Sequence, residues 1–268
     1  MDVKKPYSDG AILAKRTEPG LGRLILNRPE KRNAVTDAMW RTIPSAIDWL
    51  VTDQSVRVIV IEGAGGRDFS AGADIGEFET LRKDAASARA YEAGNSNAFA
   101  AIRNASVPVI ALIRGICFGG GFGLAAAADI RIADDTARFA IPAARLGLAY
   151  PVDAVVDLVR ALGDQQARHA LYTGKEFSAE HASDIGCLFS LCAPDALDQN
   201  ATDLARSIAA AAPLSVRASK AAITALASGT EEDRHTAKTL ADATFESRDY
   251  AEGRAAFRDR RTPDFTGE

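Results

Sequence analysis

Phe69-Ser70-Ala71-Gly72-Ala73-Asp74 and Gly119-Gly120-Gly121-Phe122-Gly123 are the two stretches whose reading decides the fold. Each follows a β-rich apolar segment and leads toward a helical one. Their small residues let a ligand come close to the backbone, and glycine adopts turns closed to other side chains. Two backbone N–H groups converging from such turns can hold a developing oxyanion with no help from a side chain. Neither run ends in the Gly-Lys-Ser/Thr of a phosphate-binding loop, and neither has the spacing and acidic partner of a dinucleotide fingerprint.

Working outward, Ala11–Arg16 and Leu21–Leu26 read as strands of a hairpin around Pro19-Gly20. A polar loop, residues 27–33, follows. Thr36 is placed to cap a helix running to about Asp53, with Met39, Ile43, Ala46, Ile47 and Leu50 on one face. Val56–Ile61 and Pro108–Ile113 read as buried strands leading to the two glycine turns. Leu81 to about Arg103 reads as a weakly amphipathic helix. Phe122–Ala128 reads as a short helix with almost no polar face, which places it at the centre of the fold. Short strands are expected at Ile130–Ala133, Phe139–Ile141 and near Leu188–Leu191, and the chain from Val152 onward is mostly helical. Strand–helix alternation to about residue 195, then helices alone, predicts an α/β layer fold with a helical appendage. The expected division is a core over 1–195 and a C-terminal helical region over 196–268.

The 268 residues, 47% of them hydrophobic, suffice for a full core without staples. A net charge of −4 argues against general nucleic-acid binding. The N-terminal residues lack the apolar core of a signal peptide, and no apolar run is long enough to span a membrane. Cys117, Cys187 and Cys192 have no paired-ligand spacing, as expected of reduced thiols in the cytoplasm. No metal set is present in the sequence.

The order and spacing of these runs resemble the crotonase superfamily, the enoyl-CoA hydratase/isomerase family, over nearly the whole chain. Residues 26–34, Leu-Asn-Arg-Pro-Glu-Lys-Arg-Asn-Ala, look like its first CoA-binding loop; Phe69–Asp74 looks like its first oxyanion turn and Gly115–Asp129 like its second. The resemblance implies an α/β spiral of ββα turns that binds acyl-CoA thioesters and stabilises an enolate oxygen. It implies oxyanion donors at the N–H groups of Ala73 and Gly120, Lys31 and Arg32 near the CoA phosphates, and Ala34, Ala71, Asp74 and Ile75 along the CoA site. Coenzyme A enters as part of the substrate, with no separate cofactor. A homotrimer or dimer of trimers is implied, assembled through the C-terminal helices.

The pattern breaks where a hydratase of this family carries its two glutamates. These positions fall on Gly123 and Ala143, and a third acid position falls on Pro151. Tyr150 falls where a decarboxylase branch has a tyrosine, and Asp153 is the nearest remaining acid. Glu77 and Glu79 read as solvated, and Arg114 as half of a structural ion pair. The expectation is an acyl-CoA enzyme of the hydratase/isomerase type in the broad sense. The alternatives are a decarboxylase-like enzyme using Tyr150, or a CoA-thioester-binding protein without catalysis.

Overall fold

The computed structural model describes residues 3–53 and 55–268. Its first strands are β1 (Val3–Tyr7), β2 (Ile12–Glu18) and β3 (Leu21–Leu26), followed by helix α1 (Asp37–Thr52) and β4 (Val58–Gly63). A short helix α2 (Phe78–Leu81) precedes the long α3 (Ala85–Arg103). Next come β5 (Val109–Ile113), β6 (Ile116–Phe118), α4 (Gly120–Ala127), β7 (Ile130–Asp134) and β8 (Arg138–Ala140). Helices α5 (Val152–Leu162) and α6 (Asp164–Thr173), strand β9 (Phe177–Ser178), helix α7 (Ala179–Asp184) and strand β10 (Ser190–Cys192) complete the core. Four helices end the chain: α8 (Leu197–Ala210), α9 (Pro213–Ser228), α10 (Glu231–Thr244) and α11 (Arg248–Asp259).

Among the described residues the strands form a seven-stranded sheet, β1-β2-β3-β4-β5-β7-β10, and a three-stranded sheet, β6-β8-β9. In the large sheet β1-β2-β3 pair antiparallel and β3-β4-β5-β7-β10 pair parallel; in the small sheet β6 pairs parallel with β8, and β8 antiparallel with β9. The repeat is visible in β5-β6-α4 and β7-β8-α5. In each, the first strand joins the large sheet, the second joins the small one, and the next turn lands beside its predecessor in both. The expected strands and helices are present, within a few residues at most ends.

The parallel part of the large sheet is buried on both faces, which explains its unbroken apolar runs. Successive side chains of β4 alternate between two cores. Ile59 and Ile61 pack with α1 and α3, whereas Val58 and Val60 pack with Ile110, Leu112 and, from α8, Leu197, Ala201 and Ala205. Thr36 caps α1, its hydroxyl accepting from the Met39 amide, a contact worth about 1 kcal/mol. The helix continues through Pro44 because six buried side chains, Trp40 among them, hold it against the sheet.

Three features differ from the sequence expectation. The N-terminal Val3–Tyr7 is an edge strand, a place where Pro6 costs no interior ladder bond. Ile116–Phe118 is a separate strand, formed because Gly115 turns the chain out of the large sheet. The long helix begins at Ala85, not Leu81, where Asp84 and Ser87 form a reciprocal capping box. Arg114 is in an ion pair, as expected, 2.9 Å from Asp198 and 3.8 Å from Asp134. After α11 the chain folds back. Asp249 accepts from the Thr266 and Gly267 amides, and Arg57 donates to the Phe265 carbonyl.

Candidate active site

The two glycine runs meet. Ser70 bridges to Cys117 on β6, its amide donating to the Ile116 carbonyl and its carbonyl accepting from the Phe118 amide. Gly72 has φ +91°, and a Cβ there would lie 2.7 Å from the Phe118 carbonyl. Gly119, with φ +50° and ψ −123°, turns the chain into α4. These two positions require glycine, for conformation at both and for close approach at Gly72.

Asn33 holds the first run from behind. It is fully buried in a left-handed conformation, and its amide donates to the Ala64 and Asp68 carbonyls while accepting from the Arg28 amide. Its own carbonyl accepts from Ser70 Oγ, which in turn accepts from the Gly72 amide. The sequence quotes Asn33 within a polar loop but gives no sign of this role. Asn33→Ala is expected to cost on the order of 2–4 kcal/mol in denaturant unfolding, because it strands several buried polar groups. A variant as stable as the parent would remove Asn33 from this role.

The bridge between Val35 and Ala73 sets the direction of the amides. Val35 donates to the Gly72 carbonyl and the Asp74 amide donates to the Val35 carbonyl, so the intervening Ala73 amide points the other way. There it faces α4: a Cβ built on Gly120 would stand 3.7 Å from Ala73 N. Gly120 is the first residue of α4, where amides lack intrahelical acceptors and the helix dipole favours negative charge. Neither the Ala73 nor the Gly120 amide donates to another group among the described residues.

Ala73 and Gly120 both line one cavity of about 110 Å³, roughly the volume of four water molecules. Ala71, Ile75, Ala143 and Tyr150 line it too. Tyr150 Oη is buried with no partner, and burial pushes its pKa up, so the phenol stays protonated. Asp153 is exposed on the first turn of α5 and does not line the cavity. Lys31 and Arg32 are exposed on a loop stitched to the same turn, the Ala71 amide donating to the Arg32 carbonyl, and Ala34 accepts from Arg28. Asp74 is tied down by Arg28 at 2.8 Å and by the Gly76 amide, and the guanidinium and amide together hold its pKa below the ordinary carboxylate value. Glu77 is not free in solvent: its carboxylate accepts from the Asp37 amide at the start of α1.

The sequence missed the contribution of α3. Glu92, Asn95 and Phe99 fall on one helix face and line the cavity. Glu92 is the one carboxylate in that lining, half-buried and without an ion pair or side-chain hydrogen bond among the described residues. The signal available was the i, i+3, i+7 spacing, hidden in an alanine-rich pattern with little amphipathic contrast. Phe99 also explains Gly123, where a Cβ would lie 2.6 Å from the ring. Gly123→Glu alone is therefore expected to lose about 1–3 kcal/mol through overpacking, and more through burying a carboxylate. In a Phe99→Ala background, where the ring is gone, the added cost of Gly123→Glu should be smaller. A single variant with an unchanged denaturation midpoint would contradict the packing.

A larger cleft of about 740 Å³ lies between α4, α5, α8 and α9. Its Lys220 is already satisfied, 2.8 Å from Asp129 and 3.0 Å from the Val107 carbonyl, which marks a structural contact. The paired turns are absent from its lining.

The interleaved ββα turns and facing glycine runs define the crotonase fold. A solved enoyl-CoA hydratase/carnithine racemase from Magnetospirillum magneticum superposes with a TM-score of 0.90 at 34% identity, covering 96% of each chain. The family model for enoyl-CoA hydratase/isomerase matches residues 16–268. A crotonyl-CoA hydratase from Syntrophomonas wolfei is 33% identical over 261 residues, 96% of this chain and 98% of that one. The 2,3-dehydroadipyl-CoA hydratase of Escherichia coli is 31% identical over 249 residues, 91% of this chain and 94% of that one. The chain belongs to the enoyl-CoA hydratase/isomerase family, whose members named here act on acyl-CoA thioesters.

Proposed function

We propose that this chain binds an acyl-CoA thioester and stabilises its enolate oxygen between the Ala73 and Gly120 amides. The observation that carries this reading is the convergence of two unspent amides, one of them at a helix N-terminus, on one cavity. Lys31 and Arg32 meet the CoA phosphates, and Ala34, Ala71, Asp74 and Ile75 border the nucleotide. The glutamates of a standard hydratase are absent at Gly123 and Ala143, and Glu92 carries proton transfer in their place. Asp153, outside the lining, has no part in it.

A second reading follows from Tyr150, which lines the cavity and whose buried, protonated hydroxyl has no partner. Loss of carbon dioxide from a malonyl-type CoA also leaves an enolate, and a phenol can orient the departing carboxylate without moving a proton. Exposed Leu226, Phe245 and Phe257 on and beside the C-terminal helices serve as subunit contacts of a trimer or dimer of trimers. Equilibrium ultracentrifugation measures that assembly directly.

The experiment is incubation with a panel of acyl-CoAs in D2O, following product masses. Gain of water on an enoyl-CoA, or solvent deuterium at the acyl α-carbon, supports enolate chemistry with a base. Loss of carbon dioxide supports the Tyr150 route. Retained thioester with no mass change across the panel leaves a CoA-thioester binder.

A further inference from the structure

We propose that the acyl group accepted by this cavity carries an oxygen substituent of its own, a hydroxyl or a carboxyl, held by Arg82, Asn95 and Tyr150. The proposal rests on the acyl-CoA reading above and names its substrate class.

Three side chains in this lining carry buried polar atoms with no partner: Arg82 Nε, Asn95 Oδ1 and Tyr150 Oη. They come from three different segments, the turn after α2, the middle of α3 and the loop before α5, and converge on one small space. Asn95 is only 9% exposed. Arg82 is held against two rings, its guanidinium carbon 4.4 Å from the ring centres of both Phe78 and Tyr91. It forms no ion pair among the described residues. Much of the remaining wall is apolar, including Phe99, Pro142, Leu146 and Leu148.

A buried polar atom left unpaired costs about 1–3 kcal/mol. An unsubstituted acyl chain would leave all three atoms unpaired. A chain with an oxygen would accept from Arg82 and Tyr150, and a hydroxyl could also donate to Asn95. Sites built around buried hydrogen-bonding groups reject analogues that lack the matching group far more strongly than apolar pockets reject a missing methylene. Arg82 and Glu92 place opposite charges in the same lining, so the cavity has a use for either a neutral hydroxyl or a carboxylate beside Arg82.

The test uses three thioesters with four-carbon acyl groups: butyryl-CoA, 4-hydroxybutyryl-CoA and succinyl-CoA, with free CoA as reference. Binding is measured by calorimetry on the full chain, and again on Tyr150→Phe and Asn95→Leu. The expected result is at least about tenfold tighter binding of one oxygenated thioester than of butyryl-CoA, with that ratio falling toward one in both variants. Preference for 4-hydroxybutyryl-CoA makes the ligand group a hydroxyl; preference for succinyl-CoA makes it a carboxylate at Arg82. Equal or tighter binding of butyryl-CoA overturns the proposal and leaves the acyl-CoA reading standing. Failure of every thioester and of free CoA to bind overturns both.

Discussion

Glu92→Gln is expected to lower turnover of an acyl-CoA by about 10²–10⁴-fold, the usual range for loss of a positioned general acid or base, with thioester binding retained. The argument is one of supply. Making or quenching an enolate at the α-carbon requires a group that moves a proton, and the amides of Ala73 and Gly120 cannot do so. Glu92 is the one carboxylate in the cavity lining, and no neighbouring cation holds it. It sits two helical turns from Phe99, roughly 10 Å along the axis of α3, so its place differs from that of Gly123 on α4. The substitution keeps shape and removes only the titrating group. Deuterium exchange at the α-carbon in D2O reads the proton step itself: it should disappear in Glu92→Gln and return in Glu92→Asp at a lower rate. Exchange at the parental rate in Glu92→Gln would sink the assignment.

Gly120→Pro is expected to lower turnover by about 10²–10³-fold, the effect of losing one oxyanion donor, about 2.7–4 kcal/mol of transition-state stabilisation. Proline suits the first position of a helix, so α4 itself tolerates the change. The complication is Trp40, whose ring would stand 2.9 Å from a Cβ at this site. Gly120→Ala controls for it. Alanine imposes the same contact and keeps the N–H, so the difference between the two variants isolates the donor. Equal activity in the folded alanine and proline variants would show that the Gly120 amide holds no charge in the reaction.

The elements of the fold were largely legible along the chain. The β-branched runs at Val56–Ile61 and Pro108–Ile113 are buried on both faces, and the apolar stripe of α1 follows helical periodicity from its Thr36 cap. What escaped notice depends on partners distant in sequence. Ile116–Phe118 is a strand only because Ser70 and Arg138–Ala140 lie beside it. Glu77, read as solvated, is fixed by an amide forty positions earlier.

The site divides along the same line. The two small-residue turns are dictated locally, because conformations such as those of Gly72 and Gly119 are open to glycine and closed to nearly everything else. The sequence likewise leaves no acid at Gly123 or Ala143. Packing selects the carboxylate the cavity keeps, the aromatic ring that fills the space over Gly123, and the polar atoms left without partners. Glu92, Phe99, Asn95, Arg82 and Tyr150 belong to segments whose local patterns are unremarkable. Their chemistry arises where α3, the turn after α2 and the loop before α5 meet around the paired turns, a matter of packing between segments distant in sequence.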